Sequence, residues 1–313
     1  MASGKESQLA TAVMMIRPAR FESNPQTAVS NRFQGKSRAS ASRQHAAALE
    51  EFELLQAALV RAGIRVVVFD DTPEPHTPDA IFPNNWVSFH GDGTVVLYPM
   101  EASNRRTERR RDLIESLASN HGFAVREIVD LSHHEQDGHF LEGTGSMVLD
   151  RVNHIAYACL SSRTHLDALG EFAQRLDYEI IAFDAADQDG AAIYHTNVLM
   201  NIGEEIAVIC GEAIPREEQR SAVLESLVEC GREVMTLTFA QLQAFTGNML
   251  ELKSSSGNRV VAMSEQARRS LTAHQLEMLE GNGDIVSVPI GTIEGSAGGS
   301  VRCMLAELHL PAA

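Results

Sequence analysis

Short apolar runs rich in Val, Ile, Leu and Met punctuate the chain and end in turn residues, the pattern of buried or half-buried strands. They are VMMIRP (13–18), VVVF (66–69), WVSF (86–89), VVLYP (95–99), SMVL (146–149), HIAYACL (154–160), VLMNI (198–202), IAVIC (206–210), MLEL (249–252), RVVAMS (259–264) and CMLAEL (303–308). Helical patterning predicts helices over 46–62, 104–120, 164–176, 215–230 and 265–280. In the fourth, Pro215 suits a helix start, Glu217 and Glu218 favour the first turn, and Gly231 suits the end.

A larger unit recurs: a turn of small or polar residues, a strand, a short turn, a second strand, and usually a helix. It reads FPNNWVSFHGDGTVVLY, LEGTGSMVLDRVNHIAYAC, YHTNVLMNIGEEIAVIC, FTGNMLELKSSSGNRVVAMS and GGSVRCMLAELHL. The polar residues at the strand entrances are Asn85, Glu142, His195, Asn248 and Cys303. Their separations are 142−85=57, 195−142=53, 248−195=53 and 303−248=55. Near-equal spacing predicts an α/β fold in which repeated units close into a ring and their entrances converge. A doubly wound sheet also alternates strand and helix, but helices rather than hairpins space its parallel strands. No GxGxxG or phosphate loop supports it.

Composition narrows the function. Lys+Arg 26 against Asp+Glu 42 gives a formal charge of −16, which argues against nucleic-acid partners and anionic membranes. No apolar run approaches the ~20 residues of a membrane helix. Residues 1–12 (MASGKESQLATA) read as a flexible start, leaving 13–313 as one domain. Cys159, Cys210, Cys230 and Cys303 show no zinc-pair or disulfide spacing, which fits a reducing cytoplasm. Cys159 and Cys210 lie in apolar strands and Cys230 precedes a helix-ending glycine; all three read as structural.

Cys303 differs. It follows the glycine-rich GSAGGSVR, where backbone can approach a ligand closely, and Arg302 beside it would favour a thiolate. His195 can protonate a leaving nitrogen and then activate water. Glu142, before Gly-Thr-Gly, presents a carboxylate from a tight turn, either to orient the imidazole or to hold a substrate N–H.

With these entrances the chain resembles the guanidine-modifying superfamily of arginine deiminases, dimethylargininases and glycine amidinotransferases, the penteins. The resemblance runs from IRPARF (16–21) through FPNNW (82–86), LEGTGS (141–146), SSRT (161–164) and HTN (195–197) to GGSVRCM (298–304). IRPARF, YPMEASNRR (98–106) and FTGNMLEL are most similar to a bacterial group proposed to hydrolyse citrulline, the CtlX-type hydrolases. The resemblance implies a five-bladed pseudo-fivefold ββαβ propeller forming a single amidinotransferase-like catalytic domain. It implies Cys303 as nucleophile, His195 as general acid and base, and Glu142 as the acidic partner. Arg163, and Arg105 or Arg106, would bind a substrate α-carboxylate, a task suited to the planar guanidinium fork. NRRTERRR (104–111) also reads as a solvated helix start, so Arg163 leads. Asn248 joins them as the fourth entrance residue.

Two departures bear on substrate. Arginine-processing relatives carry an aspartate where this chain has Asn85, and arginine deiminases carry another where it has Asn197. Burying a guanidinium without carboxylates is costly, whereas an amide both donates and accepts. A citrulline-like ureido amino acid is therefore the expected substrate, giving ornithine, carbon dioxide and ammonia through an S-carbamoyl cysteine. Asp79, six residues before Asn85, is a surrogate carboxylate that keeps arginine and methylated arginines open. No metal or organic cofactor is expected, because protein groups perform the covalent step. The partner is a small amino acid; a homo-oligomer, an amidinotransferase and a non-catalytic binding protein on the same scaffold stay open. The polar segment 22–45 reads as a surface loop or a lid.

Overall fold

The computed structural model describes residues 6–35 and 40–313. Strand β1 (Ala12–Arg17) and strand β2 (Arg65–Asp70) pair in parallel, joined through the helix Ala41–Arg61. Four units of one topology follow. In each, an antiparallel hairpin leads through a helix to a third strand parallel to the hairpin's second: β3 (Val87–Phe89), β4 (Thr94–Leu97) and β5 (Glu127–Asp130); β6 (Val148–Asp150), β7 (Ile155–Leu160) and β8 (Glu179–Asp184); β9 (Met200–Ile202), β10 (Ile206–Ile209) and β11 (Glu233–Thr236); β12 (Leu250–Lys253), β13 (Arg259–Ser264) and β14 (Asp284–Val288). The last strand, β15 (Ala306–Glu307), returns to pair antiparallel with β1. The described residues thus form five three-stranded sheets, one of them built from both ends of the chain.

The sheets touch in chain order: β15 lies beside β3, β6 beside β9, and β9 beside β12, while the helix Ala41–Arg61 packs on β14 and β2. That helix buries Ala48, Phe52, Leu55 and Leu59, spaced for one face, against Val13 and Met15 of β1. Phe52, Leu55 and Leu59 each contribute about 1.5–3 kcal/mol by leaving water.

The middle strands match the predicted runs. The third strands β5, β8, β11 and β14 were not predicted; each is an edge strand with a single buried position and an acidic first residue. The predicted helix 104–120 divides into a 3-10 turn, Ser103–Glu108, and a helix, Arg111–Asn120. The helix 265–280 breaks at Leu271, because Thr272 and Gln275 form a capping box that starts a new helix, Ala273–Asn282.

The expected flexible start is corrected for residues 8–12. Gln8 is buried, donates to the Leu149 and Ile202 carbonyls, and accepts from the Arg151 N–H. Ala12 already belongs to β1. Residues 1–5 lie outside the described residues. Among the described residues no helix is long and apolar enough to cross a membrane.

Candidate active site

Four first strands are preceded or opened by a single helical turn, and these turns carry the site. Asn85 ends the 3-10 turn Pro83–Asn85; Glu142 is the N-cap of Gly143–Ser146; His195 is the N-cap of Thr196–Leu199; Cys303 lies within Val301–Met304. The predicted strand 303–308 therefore begins only at Ala306.

Hydrogen bonds stitch the turns together. Ser146 Oγ accepts from the Glu142 N–H and donates to the Arg163 carbonyl. Thr196 Oγ1 donates to the Ser146 carbonyl and accepts from the Cys159 N–H. Asn248 Nδ2 donates to the Asn197 carbonyl at 2.9 Å, and the Arg302 N–H reaches the Asn248 carbonyl. Two glycines allow the close approach. A Cβ on Gly143 would sit 2.3 Å from the Asn84 carbonyl oxygen, and one on Gly145 would sit 2.8 Å from His195 Nδ1.

Cys303, His195, Arg163, Arg105, Asn85 and Asp79 line one cavity, with Tyr194, Phe82, Thr27 and Asn31. As closed here it holds about 10 Å³ for the centre of a water-sized sphere, roughly one water.

His195 is 2% exposed, and its Nε2 lies 2.9 Å from Glu142 Oε2. A carboxylate only accepts, so Nε2 carries the proton and Nδ1 keeps its lone pair. Burial lowers the imidazole pKa to about 4 against the opposing pull of Glu142. Burial would also raise the Glu142 carboxyl, but Arg163, the His195 hydrogen bond and Arg105 outweigh it and hold the group well below the usual carboxylate range. The resting pair is therefore carboxylate and neutral imidazole.

The Cys303 sulfur accepts from Asn248 Nδ2 at 3.3 Å and from Asn197 Nδ2 at 3.5 Å. These asparagines flank the sulfur, side by side at the nucleophile. The expected help from Arg302 is also corrected: it pairs with Glu307 at 2.7 Å and donates to the Leu305 carbonyl. The other thiols lie in surroundings that keep them protonated. Burial pushes Cys159 up to about 12 and Cys210 up to about 11, and it raises Cys230.

The arginines divide. Arg163 donates to Ser30 Oγ, the Thr27 carbonyl and Glu101, stands 3.4 Å from Glu142, and lies over the Tyr194 ring. Arg105 is held by Glu108 and donates to Asn85 Oδ1 at 2.9 Å. Arg106 faces Glu135 and the Met100 carbonyl.

Two buried polar atoms in this cavity wall lack partners. Asp79 Oδ2 accepts from Asn24 and Thr27, but Oδ1 has none; Asn85 Nδ2 likewise has none. Orphaned groups of this kind cost free energy until a ligand or water meets them. Tyr194, whose hydroxyl donates to the Gly298 carbonyl, and Thr27 and Asn31 were not predicted. Adjacency to His195 was the available signal for Tyr194. The described part of 22–45 before residue 36 bonds across the cavity wall, with Asn31 Nδ2 reaching the Ala297 carbonyl. Residues 36–39 lie outside the described residues, and the helix begins at Ala41.

A family model described as N,N dimethylarginine dimethylhydrolase, eukaryotic, matches residues 17–310. No curated protein matches the chain. Among solved structures, unliganded ArgZ, an arginine dihydrolase from the ornithine-ammonia cycle in cyanobacteria, aligns with TM-score 0.73 and 18% identity over 96% of this chain. The present chain spans 41% of that one. The substrate-bound N-terminal domain of a mutant ArgZ aligns with TM-score 0.70 and 19% identity, over 96% of this chain and 99% of that one. A dimethylarginine dimethylaminohydrolase adduct with S-methyl-L-thiocitrulline aligns at TM-score 0.62 and 12% identity, over 95% and 99%.

Proposed function

Because the chain belongs to the N,N dimethylarginine dimethylhydrolase family, we propose that it is a cysteine-dependent hydrolase of an amidino C–N bond in an arginine-like amino acid. The observation that carries this reading is the single cavity lined by Cys303, by Glu142-bonded His195 and by the unpartnered Asp79 Oδ1. A guanidinium N–H is the partner that such a buried carboxylate oxygen lacks.

Neutral His195 takes the Cys303 proton, and the two asparagine amides favour the resulting thiolate. The sulfur attacks the guanidino carbon while Asp79 accepts N–H bonds. The imidazolium, balanced by Glu142, gives its proton to the leaving nitrogen, and the C–N bond breaks. Water then loses a proton to His195 and attacks the thiouronium carbon. The sulfur leaves, and a ureido product remains. Arg163 is placed to bind the substrate carboxylate once it exchanges contacts with Glu101 and Ser30. A cavity sized for one water must widen before an amino acid enters. The reading includes closure of the five sheets into a five-bladed propeller as one catalytic domain over 13–313, acting in a reducing cytoplasm.

A second reading, citrulline hydrolysis of the CtlX type, rests on Asn85, whose unpartnered Nδ2 suits a ureido oxygen. The test is turnover of arginine, methylated arginines and citrulline by purified protein. Turnover of a guanidino substrate supports the first reading. Turnover of citrulline alone replaces it with the second, and turnover of none overturns both.

A further inference from the structure

We propose that His133, His134 and Glu171 form a transition-metal site outside the Cys303 cavity, taking a divalent ion of the zinc, cobalt or nickel class. His133 and His134 lie on the 3-10 turn Ser132–Gln136, and Glu171 lies on the helix Leu166–Leu176. Both imidazole Nε2 atoms converge on one carboxylate oxygen, Glu171 Oε2, at 3.1 Å and 2.9 Å. One ligand atom from each residue lies within 4.8 Å of the others. With metal–ligand bonds of about 2.0–2.2 Å, tetrahedral ligands stand roughly 3.3 Å apart, so small side-chain shifts admit an ion.

The donor set selects the ion. Imidazole suits zinc, nickel and cobalt, whereas calcium and magnesium demand oxygen ligands. Three protein ligands leave positions for water, and the half-exposed His133 gives solvent access. A second triad, His139, His165 and Asp167, lies close by. His165 Nδ1 already caps its helix by accepting from the Asp167 N–H, so this group is the weaker binder.

The site adjoins the reaction through one short path. Glu135, on the same 3-10 turn, accepts from the Met100 N–H and pairs with Arg109; the next N–H, of Glu101, donates to Glu142. A bound ion would pin this turn to the helix Leu166–Leu176.

The experiment is Co²⁺ binding to the tag-free full chain carrying Cys303→Ser, which removes the cavity thiol, read by equilibrium dialysis and by visible absorption. The expected result is one ion per chain with nitrogen and oxygen ligation, displaced by Zn²⁺. Losing an outer-shell partner already costs about 10–100-fold, so removing two ligands in His133→Ala/His134→Ala in that background should weaken binding roughly 100-fold or more, and Glu171→Gln at least about 10-fold. Failure of the parent to retain Co²⁺, or equal retention by the double variant, overturns the proposal. Loss only on His139→Ala/His165→Ala also overturns it, by moving the site to the other triad. If the double variant fails the circular-dichroism check of folding, Glu171→Gln alone decides.

Discussion

His195 Nε2 lies 2.9 Å from Glu142 Oε2, with both residues buried and two arginines facing the same carboxylate. The contact fixes the imidazole tautomer and, in the proposed reaction, would supply the counter-charge for the imidazolium. Glu142→Gln keeps the shape and removes that charge. It should lower kcat by roughly 10²–10⁴ with a smaller change in KM. Buried Arg163 keeps Glu101, Ser30 and the Thr27 carbonyl, so the loss of its contact with the Glu142 charge should cost only about 1.5–3 kcal/mol of stability. Steady-state kinetics and urea unfolding of the variant check both.

The same pair predicts how stability follows pH. The folded pKa of His195, about 4, lies below its ordinary 6.5, so the unfolded chain binds more protons between these values. The stability from keeping this imidazole neutral is complete above pH 6.5 and is lost as pH falls through about 4. Glu142, also depressed, acts with the same sign below pH 4.5. The histidine contributes of order 3 kcal/mol. Urea unfolding from pH 7 to 4 should show a steeper decline for the natural chain than for His195→Gln; parallel curves would remove this linkage.

Gly145→Ala probes the packing of the turns. The added methyl would stand 2.4 Å from Asn85 Nδ2 and 2.8 Å from His195 Nδ1. It should displace both side chains, cost about 1–3 kcal/mol, and lower kcat by roughly 100-fold as the imidazole leaves its position. Activity near the natural level would show that the ring tolerates displacement.

Asp79→Asn separates the two substrate readings. Loss of the carboxylate should cost a cationic guanidino substrate about 2 kcal/mol or more, roughly 30-fold in kcat/KM. A neutral ureido substrate should be little affected. The ratio of the two kcat/KM values in variant and natural protein is the measurement.

The sequence made the five entrances legible because each couples a polar residue to an apolar hairpin at nearly constant spacing. Cys303, His195 and Glu142 therefore met in space as expected of them. The third strands were hidden because an edge strand with one side open to water needs little apolar pattern. Arg302 turns to Glu307 instead of the sulfur, since position in a turn does not say whether a side chain faces the cavity or turns away from it. Arg105 and Arg106 are sequence neighbours on opposite sides of one 3-10 turn, and only the contacts with Asn85 and Glu135 tell them apart. Thr27 and Asn31 sit in a polar segment without periodicity, where the signal for a cavity wall is weakest.

Attack of Cys303 on the substrate carbon would leave a covalent intermediate that can be trapped. Protein acid-quenched during turnover of whichever amino acid proves active should carry a covalent adduct by intact-mass spectrometry. Peptide mapping should place it on Cys303, and Cys303→Ser should show neither adduct nor turnover. An adduct on another residue, or unchanged activity in Cys303→Ser, would rule Cys303 out as the nucleophile.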